Sequence, residues 1–359
     1  MKLEVNGVQY ENFLSASATI RLDALCNEFA FEASAIQGQP LPFRGGEQCK
    51  VYVDDKLVIT GYIEVVQVNY DASDHVISVL GRDKTADLLD SSLDAIDDIR
   101  TDGLTLKSLI ELVIEKIGLD IKVIDNVSPK EYSPAEDIAG PEIGENAFEF
   151  IEGYAKKRQV LLTSDENGDI VINSNSGKSS ELVLQNKLNS NDNNILSANF
   201  SYDTTGRYNS YKLASSLNPV ALNAAGETDL ASLVNQGGGV FDSEIKRPRQ
   251  LVLVPDLNLS SADCLNQANW EADIRKARGL VYSAKVSGHS VNGELWQVNK
   301  LHQIVDDFVG KIEPMLLNSV KFNYDLSEGK TTQLGFVGQS AYTLFIGENK
   351  YAEVAANII

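Results

Sequence analysis

Apolar and polar residues alternate with a period of two through most of the first ninety positions, the signature of strands with one buried face. In residues 17–23, Thr19, Arg21 and Asp23 share one side while Ala18, Ile20 and Leu22 share the other. Phe29-Ala30-Phe31-Glu32-Ala33 repeats the pattern. Residues 49–53 and 58–63 flank Asp54-Asp55-Lys56, which predicts a hairpin; residues 64–70 and 75–80 predict another around residues 71–74. Several short strands joined by turns imply a small barrel or sandwich.

From about residue 96 the period changes. Thr105 is placed to cap a helix whose apolar stripe runs through Leu106, Leu109, Ile110, Val113 and Ile117, with Gly118 as the stop. A strand over 120–124 follows. Phe148, Ile151, Tyr154 and Ala155 predict a second helix ending near Arg158, and residues 160–163 pair with 170–173 across the turn 165–168. Residues 96–175 thus read as a small α/β module inserted after the first β unit.

The next stretch is less regular. Residues 186–194 are rich in Asn, Ser and Asp and read as a turn or loop. Residues 196–202, 208–214 and 251–254 read as strands. Residues 221–239, ending in Gly237-Gly238-Gly239, are expected to form a mobile loop. Ser260 or Ser261 caps a helix running to about Arg278, with Leu265, Ala268 and Ala272 on one face. Residues 281–287, 301–305, 320–324 and 333–336 return to β.

Two parts of the chain echo each other. Val53-Asp54-Asp55 precedes Val66-Gln67-Val68-Asn69-Tyr70-Asp71-Ala72-Ser73, and Val305-Asp306-Asp307 precedes Val320-Lys321-Phe322-Asn323-Tyr324-Asp325-Leu326-Ser327. The offsets are 252 and 254 residues. Short matches of this kind arise by coincidence or by duplication of a β domain. In a trimer, a duplicated domain would present six quasi-equivalent units.

Charge narrows the function. The 359 residues carry 31 Lys+Arg against 51 Asp+Glu, a formal net charge of −20. Stable nucleic-acid binding needs a basic surface, and anionic lipid would repel this chain. With 43% hydrophobic and 23% charged residues, the composition is that of a folded protein of two or three domains. The first seven residues alternate and then turn, so no signal peptide is expected, and no apolar run is long enough for a membrane span. Cys26, Cys49 and Cys264 are odd in number and share no CxxC spacing, so they read as small buried hydrophobes in a reducing compartment.

Catalytic and ligand motifs are incomplete. Gly177-Lys178-Ser179 ends like a phosphate loop, but Ile172 stands where its opening glycine belongs, and Gly237–Gly239 does not continue as GxGxxG. Asp165-Glu166-Asn167-Gly168-Asp169 resembles a calcium loop with a misplaced glycine and Ser176 in place of the closing Glu, so a hairpin turn is the better reading. His75, His289 and His302 share no metal-ligand spacing, and no GxSxG elbow occurs. No cofactor or metal is expected. The acidic stretch Asp83, Asp87, Asp90, Asp94, Asp97, Asp98, Asp102 reads as a solvated connector or as part of a negative docking surface. Trp270 and Trp296 read as core or interface anchors.

Directly after a β-hairpin stands Gly81-Arg82-Asp83-Lys84-Thr85-Ala86-Asp87-Leu88-Leu89-Asp90. This segment resembles a motif of the baseplate hub proteins of Mu-like phages and prophages, close to G-R-S-K-T-A-D-L-V-D, with Asp83 for the serine and Leu89 for the valine. Gly144-Glu145-Asn146-Ala147-Phe148 is similar to the start of that family's second helix. Trp270-Glu271 with Arg275-Lys276-Ala277-Arg278 is similar to its late helix, and Gly288-His289 through Gly293-Glu294-Leu295-Trp296-Gln297-Val298-Asn299 resembles its G-W…G-x-L-W-x-P-N segment, with Val298 where proline is usual. The similarity covers most of the chain and is weakest across 176–246.

The resemblance implies a mixed, β-rich α+β, multidomain fold: two tail-tube-like β-barrel domains with an inserted small α/β module. The expected division is 1–95 for the first barrel, 96–175 for the module, 176–258 for a β-rich connecting domain and 259–359 for a helix with the second barrel. It further implies a non-catalytic homotrimer forming a pseudo-sixfold ring in the baseplate of a virion, assembled in the host cytoplasm. The ring would join the tail tube and neighbouring baseplate proteins to a trimeric spike and pass DNA transiently through its bore, without membrane insertion. Gly81, Arg82, Lys84, Thr85, Asp87, Trp270, Arg275, Trp296 and Asn299 would be structural or interface residues. The net charge would line the bore with acid and favour sliding. The alternatives are a secreted β-rich carbohydrate-binding protein or adhesin, and a tail-associated glycan hydrolase.

Overall fold

The computed structural model describes residues 1–34, 42–72, 75–94, 103–132, 140–216, 234–236, 239–254, 261–311 and 314–343. Seven strands come first: β1 (Lys2–Val5), β2 (Val8–Tyr10), β3 (Ser15–Arg21), β4 (Glu28–Ser34), β5 (Gln48–Val53), β6 (Lys56–Tyr70) and β7 (His75–Asp83). Alternation builds them. Ala16 and Ala18 of β3 are buried between Ser15, Ser17 and Thr19, and Phe29 and Phe31 of β4 turn inward between Glu28 and Glu32. The β5–β6 hairpin turns at Asp54 and Asp55, with φ of 46° and 64°, the two left-handed residues of a tight hairpin loop. Residues 58–63 and 64–70, separate strands in the sequence reading, form one strand. A bulge between Ile63 and Val65 bends it without breaking its ladder to β7.

The α/β module follows: α1 (Ala86–Asp90), α2 (Leu106–Ile117), β8 (Val123–Asp125), α3 (Ala147–Lys157), β9 (Leu161–Ser164) and β10 (Ile170–Asn173). The ends of α2 lie where the sequence placed them. Thr105 Oγ1 accepts from the Ser108 N–H at 3.1 Å, and Gly118, at φ 83°, donates to the Ile114 and Glu115 carbonyls. Asn146 caps α3 by accepting from the N–H groups of Phe148 and Glu149. The apolar stripes of α2 and α3 share one core with the sheet β8-β10-β9, in which Leu109, Val113, Ile151 and Tyr154 meet Val123, Ile170 and Ile172.

Next come β11 (Leu184–Asn186) and β12 (Ile195–Tyr202). A four-stranded unit of β13 (Ser210–Ser216), β14 (Val234–Gln236), β15 (Val240–Phe241) and β16 (Gln250–Leu253) packs on α4 (Ser261–Arg278) through Cys264, Ala268 and Ala272. The chain continues with β17 (Leu280–Ser287), β18 (Ser290–Val291), β19 (Glu294–Leu295), β20 (Leu301–His302), β21 (Ile304–Asp306), β22 (Gly310–Lys311), β23 (Met315–Asp325) and β24 (Gly329–Gly338). The loop expected at 221–239 lies outside the described residues, apart from β14 and Gly239.

The fold is β-rich and multidomain, as expected, but the two β units are not two closed barrels. β3 pairs antiparallel with β23, from Ser15 opposite Asp325 to Arg21 opposite Ser319. This junction fuses both units into one sheet, ordered β12-β17-β24-β23-β3-β4-β7-β6-β5-β1-β2, with β20 on β23. Among the described residues the order is open, ending at β12 and β2. Pairing with the other unit occupies the edge that either unit would use to close on itself.

The echo in the sequence is a true duplication. The runs β3-β4-β7-β6 and β12-β17-β24-β23 have the same antiparallel connectivity and matching registers. The pair Ile63–Gly81 corresponds to Leu317–Phe336, Phe29–Gly81 to Tyr282–Phe336, and Ala18–Phe29 to Phe200–Tyr282. The bulge between Ile63 and Val65 recurs between Leu317 and Ser319, at the echo's offset of 254 residues. The Asp54-Asp55 turn corresponds to the turn after Asp306 between β21 and β22. Coincidence of two short motifs does not reproduce three ladders and a bulge. Each unit has its own core, around Phe29, Phe31, Val51 and Ile59 in the first and Tyr282, Leu317, Phe322 and Phe336 in the second.

Candidate functional site

The motif at the end of β7 is a joint between the first β unit and the α/β module. A Cβ on Gly81 would stand 2.2 Å from the Tyr62 carbonyl oxygen and 2.3 Å from Phe29 Cζ, so only glycine lets β6 and the Phe29 ring approach. Arg82 reaches along the surface, its Nε 2.8 Å from both carboxylate oxygens of Glu64 and its Nη2 2.5 Å from Asp90 Oδ2. Asp83, where the resembled motif has serine, is buried and gathers donors from four groups. The Asn27 and Thr85 N–H groups donate at 2.8 and 3.0 Å, the Thr85 hydroxyl at 2.5 Å, and the Ser164 hydroxyl also donates. Burial pushes the Asp83 carboxyl up despite these donors, and burial likewise pushes up the neighbouring Cys26 thiol.

Lys84 and Thr85 complete the joint. Lys84 Nζ lies 3.3 Å from Asp169 Oδ1 and 3.1 Å from the Asp120 carbonyl, both in the module. The Thr60 hydroxyl donates to the Glu166 carbonyl at 2.9 Å, and Gly168 packs beneath it. The segment resembling a calcium loop is therefore a docking turn, organised by Asp165 Oδ1 accepting from the Asn167 and Asp169 N–H groups. The Thr85 hydroxyl also contacts the Leu25 carbonyl at 3.2 Å. Burial, with Asp90 and Glu64 nearby, pushes the Asp87 carboxyl up. Of the acidic stretch, Asp97, Asp98 and Asp102 lie outside the described residues.

The later motif residues serve the second β unit. Trp270 is buried where α4 crosses the sheet, against Leu22, Ile274, Leu316 and Tyr342. Arg275, one turn on, donates to Glu271 at 3.3 Å and lies 5.7 Å from the Tyr208 ring centroid. Trp296 is buried with its ring 5.4 Å from that of His302. Asn299, at φ 63°, ties the connector to the unit: its Oδ1 accepts from the Ser176 N–H at 3.0 Å and its Nδ2 donates to the Ser174 carbonyl at 2.9 Å. The nine motif residues are thus spread over three joints and do not converge on one reactive centre.

Residues 1–83 match the family model "Mu phage baseplate assembly protein GpP-like, N-terminal", and residues 85–174 match "Baseplate hub protein gp44-like, second domain". The chain is 24% identical over 345 residues to the baseplate hub protein gp44 of Escherichia phage Mu, covering 95% of this chain and 88% of that one. The 43 kDa tail protein of prophage MuSo2 from Shewanella oneidensis is similar in structure, with a TM-score of 0.79 and 27% identity over 96% of this chain and 99% of that one. Residues 1–83 and 85–174 thus carry the first two domains of a Mu-like baseplate hub protein. The tail protein from Neisseria meningitidis MC58 has the same fold, with a TM-score of 0.77 and 19% identity, covering 95% of this chain and 96% of that one. As a baseplate hub, the protein is a structural part of the phage tail and of the virion.

Other joints in the hub gave no signal in the sequence. Asp54, in the first unit's hairpin turn, accepts from Lys330 Nζ at 2.7 Å and the Ser290 hydroxyl at 2.8 Å, both in the second unit. His289 Nε2 meets the Asn323 carbonyl at 2.8 Å, while its Nδ1 lies 3.6 Å from Asp54 Oδ1. Burial works against the Asp54 carboxylate, but Lys330 and Ser290 outweigh it and hold its pKa below the usual range. Arg207, wholly buried, pairs with Asp242 and Glu244 at 2.7 Å and fixes the loop beside β13. A cleft of about 740 Å³ runs between α3 and α4, floored by Trp270 and Phe148 and rimmed by charges including Asp203, Glu152 and Arg278. Among the described residues, no group of three or more His, Cys, Asp or Glu side chains could hold a metal ion.

Proposed function

We propose that the hub acts as a symmetry adaptor: three chains form a ring whose six like β units face the tail tube, while its threefold character meets a trimeric spike. The observation that carries this reading is the duplicated β run held in one continuous sheet, with the same registers and the same bulge in both copies. Two like units per chain give a trimer six like positions, which is what a junction between sixfold and threefold neighbours requires. The work of such a protein is geometric and needs no catalytic centre. The second β unit would draw β11 and β12 from the 176–258 segment and accept the β13–α4 unit as an insertion between β12 and β17, leaving 1–95 and 96–175 as the first two domains.

The sheet face turned away from the cores is our candidate wall for the bore. Ser17, Thr19, Gln67, Asn199, Ser283 and Gln333 lie on it, with Glu28 and Glu32 set against Lys285 and Lys321. Arg21, Arg82 and Asp325 share that face, as do the exposed apolar side chains of Val65 and Leu80. Its charges are near balance, so the repulsion expected from the −20 charge would not arise there, and no excess of cations would hold phosphate.

Light scattering on the purified chain tests the ring. The expected species has three times the 39.2 kDa chain mass, and electron microscopy should show a ring with six similar lobes. A monomer across a wide concentration range would sink the proposal, and turnover of peptidoglycan by the purified protein would overturn the non-catalytic part.

A further inference from the structure

We propose that the cleft between α3 and α4 holds an extended segment of another protein, one that carries a bulky apolar side chain and, within a few residues of it, a carboxylate. Spacing of four puts Phe148, Glu152 and Lys156 on one face of α3, and Trp270, Ile274 and Arg278 on one face of α4; all six line the cleft. Each wall thus spans eight helical steps, about 12 Å at 1.5 Å per step. An extended chain covers that length in about four residues.

The floor is apolar, with Leu161 and Tyr342 closing it between the helices. Trp270 is buried, yet its indole N–H has no acceptor in the chain. A donor left in that state weakens the fold until a carbonyl reaches it.

The rim charges are settled within the chain, with one exception. Glu152 accepts from Lys156 at 2.7 Å, Glu271 from Arg275 at 3.3 Å and Asp23 from Arg21 at 3.0 Å. Asp203 accepts from the Thr205 N–H and hydroxyl at 2.7 and 2.9 Å. Arg278 is exposed and has no carboxylate within 4.0 Å among the described residues; its guanidinium stands 5.8 Å from the Tyr342 ring centroid.

The cleft therefore lacks three things: apolar surface for its floor, an acceptor for Trp270 and an anion for Arg278. The two unmet donors lie on residues eight steps apart, about 12 Å along α4. A free amphiphile has acceptors only at its headgroup and cannot serve both. A polypeptide offers a carbonyl about every 3.3 Å, and an aromatic side chain on it would pack against Trp270 and Phe148.

Tryptophan fluorescence reads the cleft, because the chain has two tryptophans and Trp296→Phe leaves Trp270 alone. The probe is the tetrapeptide acetyl-Phe-Leu-Ala-Glu amide. The control peptides acetyl-Phe-Leu-Ala-Gln amide and acetyl-Ser-Ser-Ala-Glu amide remove the charge and the apolar part in turn, and dodecanoate represents a free amphiphile. Calorimetry on the wild-type chain repeats each titration without the Trp296 substitution. The Glu peptide should bind saturably, with a Kd of roughly 1 mM or below. The Gln peptide should bind about threefold more weakly, as for an exposed ion pair, and the Ser peptide should not bind. Arg278→Gln should erase the difference between the Glu and Gln peptides and leave the affinity for the Gln peptide unchanged. No saturation by the Glu peptide up to about 10 mM, equal binding of the Glu and Gln peptides, or a difference that survives Arg278→Gln would each overturn the proposal. Dodecanoate that binds more tightly than the peptide and displaces it would make the cleft a small-molecule site instead.

Discussion

Lys84 at the end of β7 reaches Asp169 in the turn between β9 and β10, Nζ to Oδ1 3.3 Å, with side chains only 13% and 9% exposed. The pair holds the α/β module against the first β unit. Lys84→Met keeps the side chain's length and leaves the Asp169 carboxylate with the Lys122 N–H as its remaining donor at that oxygen. The expected loss is about 1–3 kcal/mol, read by urea unfolding. Pairing the variant with Asp169→Asn should recover part of it, because the stranded charge is then removed. A loss unchanged by the second substitution would mean the pair is not coupled.

Gly81 and Gly153 make opposite predictions for the same substitution. A methyl at Gly81 runs into the Tyr62 carbonyl and the Phe29 ring, so Gly81→Ala should destabilise by about 1–3 kcal/mol or more through overpacking. Gly153 lies inside α3, where an added methyl would meet nothing within 4 Å, so Gly153→Ala should stabilise by roughly 0.5–1 kcal/mol. Thermal melts of the two variants against wild type give both signs in one experiment.

Acid should loosen the second β unit. Burial lowers the pKa of His289 and His302 below the ordinary 6.5, so both stay neutral when folded. Unfolded imidazoles take up protons first, and stability present above pH 6.5 is lost as the pH falls through and below that value. Asp54, Lys330 and the chain's amino terminus act on His289, and Lys300 acts on His302, whose Nδ1 faces the Leu182 carbonyl at 2.9 Å. The melting temperature should fall by several degrees between about pH 7.5 and 5.5. His302→Asn should flatten that dependence, while an unchanged slope would assign the acid sensitivity elsewhere.

Local order was legible in the sequence and long-range pairing was not. The caps at Thr105 and Gly118, the Asp54-Asp55 turn and the alternation through Phe29 and Phe31 act over a few residues, and each element they predict is present. The junction of β3 with β23 joins residues some three hundred positions apart, and nothing in either strand names its partner. Both have one apolar face, which fits a closed barrel as well as a shared sheet. The polar joints were hidden for a related reason. Arg207 with Asp242, and Asp54 with Lys330, look like any surface charges until the fold brings them together. Trp270 and Trp296 were legible as core or interface anchors, but Asn299 was visible only through family resemblance, which gives the position of a residue without its partners.

The duplication lets one substitution be tried in two copies of the same place. Phe322→Asp sits in the internal junction, where the ring is 1% exposed against Ala18, and should cost roughly 3–5 kcal/mol from lost packing alone. Val68→Asp occupies the corresponding position of β6, past the end of its ladder with β5, where 38% of the side chain is exposed. In the isolated chain it should shift stability by no more than about 0.5 kcal/mol. If the proposed ring covers this edge, the same aspartate would be desolvated there, so association should weaken at least tenfold, read as the protein concentration at which light scattering shows half the mass of the assembly. Equal effects of Val68→Asp on the melt and on assembly would place Val68 in the core of its own chain. A full-strength ring with Val68→Asp would leave β6 facing solvent and require the copies to meet elsewhere.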